Sequence, residues 1–178
     1  PIAAQYLRET ADAWNVSIER WLYVQGTELA ELHDVEGYYM RVSPPDRALM
    51  VSLDALAFVR FGLRAADDPR ILNTVKVIDA TLKVETPRGP VWRRYQGDGY
   101  GEHADGAPYD GAGVGRGWPP LTGERGHYEL AAGRLHAAEH LAQAMETIAG
   151  EAGLLPEQVW DSADIPAREL HIGRASGS

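Results

Sequence analysis

Apolar side chains at Leu7, Ala11, Trp14, Ile18 and Trp21 recur at alternating steps of four and three. That spacing puts them on one stripe of a helix over residues 2–24, which is expected to bury one side in a core. A second run, residues 50–63, is apolar nearly all round except at Asp54 and Arg60, and predicts an inner helix covered on most sides. A third opens at Asp67-Asp68-Pro69, with acids at the positive helix end and a proline preset for the first turn. Its face continues through Ile71, Val75, Ile78 and Leu82. The fourth, residues 122–149, carries Leu135, Ala138, Leu141 or Ala142, Met145 and Ile148 on one face and is ended by Gly150.

Residues 86–120 form the longest loop, rich in Gly, Tyr, Trp and charge. Loops of that length inside a compact domain are functional or disordered. Trp92, Tyr95, Tyr100, Tyr109 and Trp118 argue for a packed, functional one. The pattern is therefore all-α, about four helices joined by long aromatic and glycine-rich loops. Such a layout suits an α/α toroid, in which helical hairpins enclose a central pocket. Four helices cannot close that ring, so residues 1–178 are expected to be an incomplete layer of a larger domain, with exposed apolar surface.

Composition narrows the partners. With 44% hydrophobic and 24% charged residues the chain suits one soluble globular domain. Its 17 basic and 26 acidic residues give a net charge of −9, which opposes binding to nucleic acid or to an anionic membrane. There is no cysteine, hence no disulfide or thiolate metal site, and no apolar run of membrane-spanning length. The compartment stays open, with a soluble cytoplasmic setting favoured. The start at Pro1-Ile2-Ala3 and the end at Gly173-Arg174-Ala175-Ser176-Gly177-Ser178 suit a piece of a longer polypeptide.

Three stretches carry the candidate chemistry. Gly153-Leu154-Leu155-Pro156-Glu157-Gln158-Val159-Trp160-Asp161 sets an acid in a non-helical turn, flanked by an amide and an indole, where it is presented to a cleft. The bland alternative is a solvated Glu157 after a closing Gly and Pro. Upstream lie Trp92-Arg93-Arg94-Tyr95-Gln96-Gly97-Asp98-Gly99-Tyr100-Gly101-Glu102 and Gly115-Arg116-Gly117-Trp118-Pro119-Pro120-Leu121-Thr122-Gly123-Glu124-Arg125. Rings, arginines and carboxylates in glycine-bearing loops are what a carbohydrate site needs, because sugar faces stack on rings and hydroxyls bond to charged groups. Structural alternatives are an Arg94 ion pair with Asp98 or Glu102, a Trp118 that plugs the core, and a Glu124–Arg125 pair of helix-start charge and counterion.

Three other motifs are set aside. His136-Ala137-Ala138-Glu139-His140 has an H-x-x-E-H form but too little chain after it for the further ligand, so no metal is expected. Gly111-Ala112-Gly113-Val114-Gly115-Arg116-Gly117 has no apolar strand leading in and reads as a flexible loop. Ser176 lacks a nucleophile-elbow frame.

Taken together, Glu36-Gly37-Tyr38-Tyr39, Arg94-Tyr95 with Asp98-Gly99-Tyr100-Gly101-Glu102, Gly115-Arg116-Gly117-Trp118-Pro119, Leu121-Thr122-Gly123-Glu124-Arg125 and Pro156-Glu157-Gln158 resemble the glucoamylase family of glycoside hydrolases, family 15, which includes glucodextranases and some trehalases. The resemblance implies the C-terminal portion of an (α/α)6 barrel that hydrolyses α-glucosides with inversion. It implies Glu157 as general base, Arg94 as the grip on the sugar cleaved off, and Trp118 with Tyr100 as walls of that pocket. Tyr95 and Asp98 join them as substrate-binding candidates, and all are expected to converge on one pocket. It implies no cofactor. The family's general acid belongs to a Trp-Glu-Glu stretch that no tryptophan of this chain begins, so the acid is expected in the remainder of the polypeptide and this segment alone is expected to be inactive. A non-catalytic carbohydrate-binding or structural toroid segment is the competing reading, and it would not need Glu157 free in a cleft.

Overall fold

The computed structural model describes residues 2–42 and 50–176. Pro1, Gly177 and Ser178, part of the chain ends considered above, lie outside the described residues.

Residues 2–24 do not form one core helix. Helix α1 (Ile2–Asn15) buries none of its residues, and Leu7 and Trp14 are 64% and 63% exposed. Amphipathic spacing specifies a face but not what covers it, and no described residue covers this one. After a turn at Val16 and Ser17 the short α2 (Ile18–Leu22) turns Ile18 into the core. Strand β1 (Tyr23–Gln25) then leads to α3 (Glu28–Leu32), where the Thr27 hydroxyl accepts the Ala30 N–H at 3.1 Å as an N-cap. Strand β2 (Gly37–Tyr39) returns antiparallel to β1, with Tyr23 opposite Tyr39.

The 50–63 run is covered through Val59 apart from Asp54, but Phe61 and Leu63 are exposed and the run is not one helix. The Ser52 hydroxyl accepts the Asp54 N–H at 3.3 Å and starts a 3-10 turn, Leu53–Leu56. A single turn, α4 (Ala57–Arg60), follows, and Gly62 at φ 70° ends it. Helix α5 (Pro69–Leu82) matches expectation at its start and along its face. The Asp68 carboxylate accepts the Arg70 N–H at 2.9 Å, and Ile71, Val75, Ile78 and Leu82 are buried.

Strands β3 (Lys83–Thr86) and β4 (Gly89–Trp92) form a hairpin in which Val84 faces Val91. They correct the all-α expectation: the chain is mostly helical, with two two-stranded ribbons. The single helix expected over 122–149 is a helical hairpin, α6 (Pro119–Ala131) and α7 (Leu135–Ile148), which reverses at Gly133 with φ 74°. The count of about four thereby becomes seven helices among the described residues. A Cβ on Gly89 would lie 2.4 Å from the Ala144 Cβ, so the absence of a side chain there lets the ribbon sit against α7.

The core gathers Tyr39, Leu56, Ile71, Ile78, Leu82 and Trp92 with Tyr128 of α6. Each such side chain contributes about 1.5–3 kcal/mol on burial. Beneath it Asp79 accepts from the Trp92 indole at 3.0 Å and from Arg125 Nη2 at 2.7 Å, which ties α5, β4 and α6 together. Arg125 also pairs with Glu129, and Glu124 pairs with Arg60. Glu124 and Arg125 are therefore not each other's counterions, because successive residues on a helix point apart.

Candidate active site

The site rests on backbone pairing that the sequence reading did not foresee. The Trp118 N–H donates to the Trp92 carbonyl at 2.8 Å, and the Val159 N–H to the Gly117 carbonyl at 2.9 Å. On its other side Val159 bridges Ala175, while the Trp160 N–H donates to the Arg174 carbonyl at 2.9 Å. The segment bearing Glu157 is thus held from two sides. Gly117 makes this possible, since a Cβ there would lie 2.4 Å from Val91 Cγ2. Residues 115–117 are buried, so this half of the glycine-rich stretch is not the flexible loop expected.

Glu157 is exposed, whereas Gln158, Val159, Trp160 and Asp161 are buried. The amide and indole therefore do not flank the carboxylate in a cleft; they anchor the strand below it. Tyr100 comes up to Glu157 instead, its hydroxyl 3.4 Å from Oε2. Tyr100 also lies 6.2 Å from Trp118 and 5.2 Å from Tyr109, ring centroid to centroid.

Arg94 fills the centre of this group. Its guanidinium carbon stands 4.7 Å from the centroid of the Trp118 ring and 5.2 Å from that of Tyr100. Nε and Nη2 both donate to the Asp98 carboxylate at 2.7 Å, and only Nη1 is uncommitted among the described residues. Burial pushes the Asp98 carboxyl up, but the Arg94 fork and the Tyr100 N–H outweigh it and hold it below the usual carboxylate range. Asp98 in turn raises the Arg94 guanidinium, with a smaller contribution from the Glu157 charge.

Arg94, Trp118, Tyr100 and Glu157 thus come together from stretches far apart in the chain. The ion pair to Asp98 and the place in the cleft are both real for Arg94. Trp118 is half-buried with one face toward Arg94, and its indole N–H has no hydrogen-bond partner among the described residues. Tyr95 lies between two arginines, 3.9 Å from Arg41 and 5.6 Å from Arg94, ring centroid to guanidinium carbon. A cavity of about 350 Å³ opens beside them, lined by Arg41, Leu53, Arg94, Tyr95, Trp118 and Glu124; Tyr100, Asp98 and Glu157 do not line it, so the expected single pocket gathers only Arg94, Tyr95 and Trp118 of the candidates. A larger cleft of about 970 Å³ lies across Pro156, between Arg88, Leu154, His171 and Arg174, and none of the candidate residues lines it.

Sequence reasoning missed Arg41, which no motif marks, and Arg116, whose flanking glycines were the signal. His136, Glu139 and His140 lie exposed on α7. Among the described residues no group of three metal-ligating side chains gathers there or elsewhere.

Comparison with known proteins gives three consistent likenesses. A family model for glycosyl hydrolases family 15 matches residues 2–169. A glucoamylase from Clostridium sp. (strain G0005) is 42% identical over 182 aligned positions, which take in 92% of this chain and 25% of that protein. The crystal structure of a bacterial glucoamylase complexed with acarbose superposes with a TM-score of 0.84 at 40% identity, over 97% of this chain and 26% of that one. The chain thus spans about a quarter of the length of the relatives it matches.

Proposed function

The chain belongs to family 15 of the glycosyl hydrolases, and from that premise we propose that the intact protein hydrolyses α-glucosidic bonds with inversion, Glu157 acting as general base. The observation that carries this reading is an exposed carboxylate beside a tyrosine hydroxyl, at the edge of a cluster of an arginine and two rings. Exposure alone also suits a solvated glutamate; what favours the reading is the meeting of Glu157 with Tyr100, and of Tyr100 with Arg94 and Trp118, from separate stretches of the chain.

In an inverting reaction one carboxylic acid protonates the leaving oxygen while a carboxylate takes a proton from the water that attacks C1 from the opposite face. The two carboxyl groups stand about 6.5 to 9.5 Å apart. Glu157 takes the second role, and the Tyr100 hydroxyl orients it. Arg94 offers Nη1 to sugar hydroxyls while Asp98 fixes its plane, and Trp118 supplies a ring face. Tyr95, wedged between Arg41 and Arg94, completes the sugar-facing surface.

The acid belongs to the remainder of the polypeptide, so these residues make one portion of an (α/α)6 barrel and are inactive alone. The uncovered face of α1 is where another part of that barrel packs. Acarbose in the similar glucoamylase supports an oligosaccharide as ligand.

Two measurements on the intact protein test this. Glu157→Gln retains shape and hydrogen bonding but cannot take the proton, so maltose should bind while kcat falls about 10² to 10⁴-fold. NMR of the first product should show β-glucose. Parental turnover in Glu157→Gln rejects the base assignment, and initial α-glucose rejects inversion.

A further inference from the structure

We propose that Arg116 is a positioning residue that sets the separation between the Glu157 carboxylate and the Tyr100 hydroxyl; this rests on Glu157 being the base. Arg116 is 1% exposed, and its guanidinium cross-links the two segments that carry those groups. Toward the Tyr100 side, Nη2 donates to the carbonyls of Glu102 and His103, both at 2.8 Å. Toward the Glu157 side, Nη1 donates to Asp161 Oδ1 at 3.3 Å and to the Ser162 hydroxyl at 3.1 Å. The guanidinium carbon lies 3.9 Å from the centroid of the Trp160 ring, and the Arg116 backbone N–H donates to the Gln158 side chain at 3.3 Å.

The charge is balanced where it is buried. Glu102 stands 3.7 Å from Nε, and Asp161, itself fully covered, also accepts from Arg93 at 2.8 Å. The planar fork reaches four acceptors on two segments at once, which a lysine ammonium on one flexible stem does not reproduce. The backbone leaves no slack. A Cβ on Gly101 would lie 2.3 Å from the Val114 carbonyl, and one on Gly113 would lie 1.8 Å from the Gly101 carbonyl. None of these side-chain contacts is with a candidate sugar-binding residue, so Arg116 acts through the segments that carry Tyr100 and Glu157.

A double-mutant cycle in the intact protein tests this, with Arg116→Lys, Tyr100→Phe, their combination and Glu157→Gln. Arg116→Lys should lower kcat about 10 to 100-fold, as an ångström-scale misplacement does, with KM changed less than about threefold. In the Tyr100→Phe background the same substitution should cost less than about threefold, because the contact it sets is already gone. A structural role alone would give equal losses in both backgrounds, and that additivity overturns the inference, as does a Tyr100→Phe variant with parental kcat. If Glu157→Gln is as active as the parent, the base reading fails first; if it is inactive while the cycle is additive, only the role of Arg116 fails. Should Arg116→Lys not fold, Ser162→Ala removes one acceptor of the same fork. It should lower kcat about two- to fivefold in the Tyr100 parent and leave Tyr100→Phe unchanged, and equal losses again overturn the inference.

Discussion

Arg94 lies between the Trp118 ring, 4.7 Å from its guanidinium carbon, and the Asp98 carboxylate, which takes two of its nitrogens at 2.7 Å. The same side chain is thus tied to the loop and presented to the cleft. Arg94→Lys gives up the fork on Asp98 and the flat face on Trp118 together. It should raise KM and lower kcat, with kcat/KM for maltose down about 10 to 100-fold, or about 1.4 to 2.8 kcal/mol in transition-state stabilisation. Steady-state kinetics checks this, and a variant impaired in KM alone would mean that Arg94 holds the ground state and the transition state equally.

Gly115 guards that geometry. Its N–H donates to the Asp98 carbonyl at 2.6 Å, and a Cβ at this position would lie 2.5 Å from the Asp98 Cβ. Gly115→Ala should push Asp98 away from Arg94 and reduce kcat/KM about tenfold or more. Overpacking of this kind costs about 1–3 kcal/mol of stability. Kinetics together with a thermal melt of the intact protein separates the two effects, and parental kinetics would show that Asp98 has room to move.

Acid should weaken the fold through Glu19. Its carboxylate accepts from Arg64 Nε at 2.6 Å and from the Tyr39 hydroxyl at 2.7 Å. The Arg64 bond, against the opposing effect of burial, is the main cause that brings its pKa from 4.5 to about 2. A folded value below the unfolded one means stability that is present above about 4.5 and fades as pH falls toward 2. After solvent screening the contribution is on the order of 1 kcal/mol. Glu19→Gln should lower Tm near neutral pH and reduce the drop on going to about pH 3. An unchanged drop would assign the acid sensitivity to other carboxylates.

The sequence made some of this legible and hid the rest for identifiable reasons. Helix α5 could be read at its start and along its face because Asp68 and Pro69 mark the first turn and the apolar face is unbroken. The reversal between α6 and α7 was missed because Ala131, Ala132 and Gly133 sit inside an alanine-rich run, where a lone glycine is a weak stop. Strand β3 follows directly on α5, and the alternation in Lys83-Val84-Glu85-Thr86 is too short to announce a ribbon. The stripe on α1 is genuine, but spacing is silent about what packs on it. Motifs located the residues that meet at the cleft. They could not locate Arg116 as a hub, because an arginine among glycines reads as solvent-facing loop until the acceptors from distant segments are known.

The pairing of Val159 with Gly117 and Ala175 has a consequence for how this segment can vary by insertion and deletion. The four residues after Glu157 are all buried, so sliding this strand by a single residue would either carry the Gln158 amide into the exposed place of Glu157 or draw the Glu157 carboxylate into the buried place of Gln158. Length is therefore frozen from Glu157 to Asp161. It is freer among residues 108–112, all exposed, in a loop whose two ends are fastened together where the Val114 N–H meets the Glu102 carbonyl at 3.2 Å. An insertion there should reshape the surface around Tyr109 while the paired strand keeps the carboxylate in place.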